Sequence, residues 1–143
     1  MDILLISHGP FCNGIKKSLE MISGNMENVT SEEFKPGQNP SDFRNILAKR
    51  VEDLYNPEKG LIVMCDLKGG TPYNTILYLV KDYPKLKVIT GMNLPLLLTI
   101  ASSEDIDLPT ILNNKLNIGI NLIDKKVIEK GSQRHERLSL SKN

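Results

Sequence analysis

At 143 residues, the chain is long enough for one sizeable hydrophobic core and too short for two ordinary domains. Hydrophobic residues make up 40% of it and charged residues 24%, values typical of a globular domain rather than of a disordered or fibrous chain. A formal net charge of +1 and the absence of tryptophan argue against nucleic-acid binding and against attraction to an anionic membrane surface.

The N-terminal segment and the two cysteines indicate the compartment. No stretch reaches the ~20 apolar residues that span a bilayer, and the N-terminus lacks the basic segment of a signal peptide. Cys12 and Cys65 are too few for a disulfide framework and too far apart for a zinc knuckle, so both are expected as free thiols. The sequence therefore predicts a cytoplasmic protein.

Four short runs predict β-strands. The apolar run at residues 3–6 is typical of a strand buried on both faces of a parallel sheet, residues 61–65 form a second strongly apolar run, and residues 86–89 predict a further strand. The run at residues 29–34 is more polar, which favours an edge position.

Apolar residues at helical spacing separate these strands. Ile15, Leu19 and Ile22 predict a first helix that ends near Gly24, since glycine commonly follows a helix. Ser41 is the predicted N-cap of a second helix, which carries its own apolar stripe as far as residue 54.

Prolines mark the starts of the later helices. Pro72 opens a third helix, because its missing N–H costs nothing in a first turn. A fourth helix is predicted at residues 96–101 and a fifth near Pro109. Residues 118–123 form a possible fifth strand, and residues 125–143 are a polar tail that we expect to be mobile.

Strands that alternate with helices predict an α/β fold. The expected architecture is a doubly wound, mostly parallel sheet of four or five strands, with helices on both faces. The order 2-1-3-4, with the fifth strand at an edge, is the predicted arrangement, and residues 1–124 form the single domain. Ligands bind such sheets at the carboxyl ends of the strands, where the chain order reverses.

His8 and Asp66 follow the two most apolar strands, 3–6 and 61–65. In the order 2-1-3-4 these strands are neighbours, so the two side chains would face each other. A carboxylate beside an imidazole selects its tautomer and stabilises its charged form, which leaves the other ring nitrogen free to attack phosphorus. The pair thus predicts a phosphorylated histidine, and this chemistry demands neither a metal nor another cofactor.

Glycine-containing turns surround this pair and predict a phosphate site at Gly9, Gly69, Gly70 and Thr71. Glycine lets backbone N–H groups approach an anion, the following helix adds its N-terminal dipole, and Thr71 offers a hydroxyl. The same residues would also suit a tight strand-to-helix turn with Thr71 as its N-cap. The loop is neither a Walker loop nor a dinucleotide fingerprint, so a nucleotide is not expected.

Plainer alternatives exist for each residue alone. His8 could be a surface turn histidine, and Asp66 could simply cap the turn that follows it; the pair at matched strand ends favours chemistry instead. His135, the other histidine, lies in the basic tail and is expected to be a solvated side chain.

Three motifs resemble the enzyme IIA (EIIA) domains of the mannose-family sugar phosphotransferase system (PTS). They are Ser-His-Gly at residues 7–9, Asp-Leu-Lys-Gly-Gly-Thr-Pro-Tyr-Asn at residues 66–74, and Gly-Met-Asn-Leu-Pro-Leu at residues 91–96. They occur in the family's order and spacing, and the resemblance covers roughly residues 1–123. Pro10 and Lys68 stand where related chains vary.

The resemblance implies roles and partners. His8 matches the phosphorylated histidine, Asp66 the carboxylate that orients it, and Gly70 and Thr71 the loop nearest the phosphate. The family accepts a phosphoryl group from the histidine-containing phosphocarrier protein HPr and donates it to an EIIB subunit, which phosphorylates sugar entering through membrane EIIC and EIID subunits. Homodimers are usual, some with an exchanged C-terminal strand. Because no EIIB domain follows in this sequence, EIIB is expected to be a separate chain.

Two other functions fit parts of the pattern. The phosphocarrier subunit of dihydroxyacetone kinase resembles the same fold, although its loop usually lacks Gly-Gly-Thr-Pro. A regulatory or ligand-binding module could use the same sheet with His8 unmodified. The transported sugar is left open among mannose, fructose, sorbose, N-acetylgalactosamine and related amino sugars, because EIIA does not contact the sugar.

Overall fold

A computed structural model describes residues 1–114 and Lys130. Within them, one sheet contains four strands: β1 (Asp2–His8), β2 (Val29–Phe34), β3 (Leu61–Cys65) and β4 (Leu86–Thr90). Their order is β2-β1-β3-β4, and each pairing is parallel. The predicted order 2-1-3-4 is confirmed. The possible fifth strand at 118–123, the domain boundary at residue 124 and the tail at 125–143 lie outside the described ranges, apart from Lys130.

Helices connect the strands and continue after β4. They are α1 (Phe11–Ser23), α2 (Pro40–Leu54), α3 (Thr71–Val80), α4 (Leu94–Ala101) and α5 (Leu108–Asn113). Each of α2 to α5 has a proline in its first turn, where the fixed φ suits the helix and no intrahelical N–H bond is lost. None of the helices in the described ranges is long and apolar enough to cross a membrane.

The start of α2 corrects one prediction. Ser41 is not the N-cap, because the helix begins one residue before it, at Pro40. Asn39 takes that role: its side-chain oxygen accepts a hydrogen bond from the Ser41 N–H at 2.8 Å. Serine and asparagine cap equally well, so the proline between them decides the position.

Two hydrophobic layers lie on opposite faces of the sheet, as the period of two along a strand requires. Leu4 and Ile6 of β1 face α2 and α3, whereas Ile3 and Leu5 face α1 and α4. All four side chains are fully buried. Burying a side chain of this size contributes about 1.5–3 kcal/mol each, so the near-continuous apolar strands are a main source of stability.

The buried stripe of α1 differs from the predicted one. It consists of Cys12, Ile15 and Leu19, while Ile22 is 58% exposed. The sheet therefore lies under the first turns of α1 only, and the last turn, which ends at the predicted Gly24, extends beyond it.

The direction in which strands are added to the sheet reverses beside β1. It moves from β1 outward to the edge strand β2, then returns across the other face to β3, on the opposite side of β1. The carboxyl ends of β1 and β3 are therefore neighbours, and Ile6 pairs with Cys65. Asp66 directly follows Cys65, and His8 lies two residues after Ile6, so both stand at the position where doubly wound sheets bind ligands.

Candidate active site

His8 and Asp66 are in direct contact. The ring nitrogen Nδ1 of His8 lies 2.8 Å from Oδ2 of Asp66. The backbone N–H of His8 donates to the same oxygen at 3.0 Å. The two residues are 58 positions apart in the sequence, and only the parallel pairing of β1 with β3 brings them together.

The Asp66 carboxylate is held on both of its oxygens. Oδ1 accepts a hydrogen bond from the backbone N–H of Leu67 at 2.8 Å, while Oδ2 binds the backbone N–H and the ring nitrogen Nδ1 of His8. The Asp66 side chain is 17% exposed and the His8 side chain 44% exposed. The carboxylate is therefore fixed and largely shielded, whereas the imidazole is open to an incoming group.

Two further residues enclose the imidazole. The ring of Phe34, at the end of β2, meets it edge to face, with centroids 6.3 Å apart and planes at 77°. Gly70 also lies against the ring: a Cβ there would fall 2.5 Å from Cε1 and 3.1 Å from Nε2 of His8. Since Asp66 occupies Nδ1, Nε2 is the ring nitrogen left for chemistry.

The glycine loop places the N-terminus of α3 beside Nε2. Gly69 has a positive φ of 84°, which suits glycine, and the side chain of Asn74 donates to its carbonyl at 3.0 Å. Gly70, not Thr71, is the N-cap of α3, and Thr71 is its first residue. The first-turn N–H groups of a helix have no intrahelical partner, so this end of α3 favours an anion.

Gly9 has a different environment from the other predicted phosphate-binding residues. Its φ is +57°, and its N–H donates to the carbonyl of Phe34 at 2.8 Å. An anion at Gly9 would compete with that hydrogen bond. Gly70 lies against the imidazole, and its N–H makes only a long hydrogen bond, 3.5 Å, to the Leu67 carbonyl. Thr71 begins α3 next to it, so the geometry favours these two residues over Gly9.

The contacts of Phe34 and Asn74 were not predicted from the sequence. Phe34 ends the edge strand, and its position level with His8 follows only from the β1–β2 register. Asn74 lies in the first turn after the glycine loop, a position from which a short amide reaches back to the loop carbonyl. The five-residue spacing between Gly69 and Asn74 is the sequence feature that could have predicted this contact.

Both cysteines are buried free thiols and lie close to the site without offering a nucleophile. Burial, with the neighbouring Asp66 charge, raises the pKa of Cys65 to about 12. Burial likewise raises the pKa of Cys12. Neither side chain forms thiolate readily. In the described ranges, no three His, Cys, Asp or Glu side chains form a group that could hold a metal ion.

Comparison with known proteins identifies EIIA components of the PTS as relatives. The profile of the EIIA-man family, described as the PTS system fructose IIA component, matches residues 2–113. The fructose-specific EIIA component of the PTS of Bacillus subtilis is 28% identical over 115 residues, covering 80% of this chain and 78% of that protein. The sorbose-specific EIIA component of Lacticaseibacillus casei is 30% identical over 101 residues, covering 71% of this chain and 72% of that protein.

Solved structures of PTS IIA proteins are also similar to this chain. A PTS IIA protein associated with the fucose utilization operon of Streptococcus pneumoniae has a TM-score of 0.76 and 32% identity, covering 84% of this chain and 91% of that one. The mannose/sorbose-specific IIA subunit of Enterococcus faecalis has a TM-score of 0.75 and 27% identity, covering 86% and 94%.

Proposed function

This chain belongs to the mannose family of EIIA components of the sugar phosphotransferase system, and we propose that His8 carries the phosphoryl group between two protein partners. The donor is HPr and the acceptor a separate EIIB subunit, which acts with membrane EIIC and EIID subunits. The contact between His8 Nδ1 and Asp66 Oδ2 at 2.8 Å is the observation that supports this function most.

The proposed transfer uses Nε2 of His8 as the nucleophile. Its lone pair forms a bond to phosphorus while the phosphorus–nitrogen bond of the donor phosphohistidine breaks, and that electron pair returns to the donor ring. The proton on Nδ1 stays in its hydrogen bond to Asp66. The carboxylate thereby stabilises the positive charge that develops on the His8 ring, without taking the proton.

The N-terminus of α3 stabilises the transferred group. Charge on the phosphoryl oxygens is greatest during transfer, and fixed N–H groups and dipoles need no reorganisation to meet it. The first turn at Thr71 lies next to Gly70, which contacts the imidazole. We assign phosphate contacts to Gly70 and Thr71 and the shaping of the loop to Gly69.

We further propose that the protein acts as a homodimer. In the described part of the chain, β4 pairs with β3 alone, so its other edge has no strand beside it. An uncovered parallel-sheet edge is a template for pairing with another segment. A symmetric second copy would cover it at low cost.

The function is tested by incubating the protein with phosphoenolpyruvate, the general phosphotransferase proteins and HPr. Intact-mass analysis should show one added phosphoryl group that is lost in acid. His8→Ala should show no gain, while His135→Ala should behave like the wild type. A regulatory module with an unmodified His8 would show no gain in any variant. Acid-labile phosphate on the His8→Ala protein would exclude His8 as the carrier residue.

A further inference from the structure

Ser7 has a buried hydroxyl that makes two hydrogen bonds around the His8 turn. The residue is 0% exposed and precedes His8 in β1. Its Oγ donates to the carbonyl of Gly9 at 2.9 Å and accepts from the backbone N–H of Cys12 at 2.8 Å. A buried hydroxyl needs such partners, and here both lie on the chain that leaves the active site.

The start of α1 explains why Ser7 is needed. The N-cap of α1 is Pro10, which makes no side-chain capping bond. A helix normally has Ser, Thr, Asp or Asn at that position, whose oxygen accepts an N–H of the first turn. Ser7 supplies the missing acceptor from the preceding strand, because it receives the N–H of Cys12, the second residue of α1.

The same hydroxyl fixes the residue that follows His8. Gly9 adopts a φ of +57°, and its N–H donates to Phe34 at 2.8 Å. With its carbonyl held by Ser7, Gly9 is restrained on both sides. The N–H of His8 itself is held by Asp66 at 3.0 Å. Among these contacts, only the Ser7 hydroxyl also binds α1, through the N–H of Cys12, and so it alone connects the turn to that helix.

We propose that Ser7 is a positioning residue for phosphoryl transfer: its hydroxyl joins the His8–Gly9 turn to the start of α1 and so aims the imidazole. This proposal rests on the proposed function of His8. Ser7 is not a catalytic residue, since its fully buried oxygen is committed to two backbone groups and does not reach the reacting atoms. Misplacing a reacting group by a fraction of an ångström slows transfer without changing partner binding.

The test compares Ser7→Ala with Ser31→Ala. Ser31 offers a matched control, because its hydroxyl also lies between α1 and the sheet but bonds the Asn13 side chain, at 2.7 Å, with no link to Gly9. For each variant, single-turnover phosphorylation by phospho-HPr gives the maximal rate and the apparent KM. Amide hydrogen exchange at Gly9 and the nitrogen-15 NMR signals of the His8 ring are measured without any phosphate present.

Ser7→Ala removes both hydrogen bonds of the hydroxyl, but only the one to the Gly9 carbonyl restrains the turn directly. We therefore expect it to lower the maximal rate by about three- to tenfold, the effect of one typical hydrogen bond, with KM changed less than about twofold. Gly9 exchange should quicken, and the His8 signals should shift or broaden. Ser31→Ala should leave all these readouts unchanged. Ser7→Thr, which keeps the hydroxyl, should restore the rate.

A Ser7→Ala protein that is less stable but keeps the wild-type rate and His8 signals would overturn the proposal. If Ser7→Ala does not fold, Ser7→Cys fills a similar volume with a weak donor and acceptor, and the same comparison applies to it. If the wild-type protein accepts no phosphoryl group, the proposed function fails. The NMR and exchange measurements then decide separately whether Ser7 orders His8.

Discussion

One oxygen of Asp66 binds both the backbone N–H and the ring nitrogen Nδ1 of His8. The ring is thus tied, through the carboxylate, to the backbone of its own residue. Any rotation of the imidazole breaks the bond to Nδ1 while the carboxylate stays in place. Such an arrangement selects one tautomer and one orientation before a partner arrives, so little reorganisation remains for the transfer step.

We predict that Asp66→Asn folds normally but transfers phosphate tenfold more slowly or worse. In asparagine an NH2 group replaces one of the two oxygens. Either the N–H of Leu67 or the N–H groups of His8 would then lie opposite a donor and lose their acceptor. A charge-assisted hydrogen bond contributes roughly 1.5–3 kcal/mol, which corresponds to that factor. Transfer kinetics to EIIB measure it, with the exposed Asp82→Asn as control. An unchanged rate in folded Asp66→Asn would show that the two residues are not functional partners.

Gly70 offers a second test, since the space its missing side chain leaves is filled by the His8 ring. Its φ of −76° and ψ of 171° are allowed for alanine, so Gly70→Ala should not strain the backbone. The added Cβ would instead lie 2.5 Å from Cε1 of His8 and push the ring away. We expect a rate lower by about 100-fold, the effect of a misplacement near 1 Å.

The control for Gly70→Ala is Gly14→Ala in α1, where an added Cβ meets no atom within 4 Å. It should keep the wild-type rate and stabilise the helix by about 0.5–1 kcal/mol. Phosphorylation kinetics and thermal unfolding measure both variants. A Gly70→Ala protein with full activity would mean that the ring does not need this space.

Among the elements, β3 contributes a dependence of stability on pH. The thiol of Cys65 has an ordinary pKa of 9.0, and burial beside Asp66 raises it to about 12 in the folded state. The folded protein thus binds this proton more tightly than the unfolded chain does. Its contribution to stability is complete below pH 9.0 and is lost as pH rises from 9.0 towards about 12.

Denaturant unfolding measured between pH 9.0 and about 12 tests the raised pKa of Cys65. The free energy of unfolding should fall more steeply with pH in the wild type than in Cys65→Ala, which has no thiol to ionise at this position. Cys65→Ala should start lower at neutral pH, because it removes a fully buried side-chain atom. Parallel curves for the two proteins would contradict the raised pKa.

The strands and helices followed from the sequence where local pattern and packing agree. The apolar runs that became β1 and β3 have no alternative location in a small domain, so their period and length were sufficient. The N-cap of α2 was misassigned because Asn39 and Ser41 are equally good caps around one proline. Ile22 was placed in the core because spacing along α1 does not reveal where the sheet beneath it ends.

The site was predictable to the extent that topology determined it. His8 and Asp66 could be paired because both end apolar strands and the order 2-1-3-4 makes those strands neighbours. The contacts of Phe34 and Gly70 with the imidazole depend on strand register and on side-chain direction, which no local pattern encodes. The capping of α1 by Ser7 likewise requires the fold of the turn to be known.

Considered as a whole, the molecule supports the proposed carrier residue, His8, on packed strands and helices. Fully buried strands on either side of the switch point hold His8 and Asp66, and helices cover both faces. The rest of the site is formed by the end of the edge strand β2 and by the start of α3. If the chain carries phosphate between two proteins, as we propose, a site ordered in advance lowers the cost of each encounter.

Assembly is the prediction that concerns the whole chain. We expect sedimentation at micromolar concentration to give a homodimer, because β4 has no strand on its outer side in the described ranges and residues 118–123 are apolar. Truncation after residue 114 should shift the protein towards monomer if that segment contributes to the interface. A monomer at this concentration for the full chain would count against the proposal.

The most direct test of the account asks which nitrogen carries the phosphoryl group. Protein labelled with nitrogen-15 histidine is phosphorylated by phospho-HPr and studied by phosphorus and nitrogen NMR. The contact of Asp66 with Nδ1 predicts a phosphorus–nitrogen coupling at Nε2 of His8, with Nδ1 still protonated. Phosphate on Nδ1, or on any residue other than His8, would contradict the account.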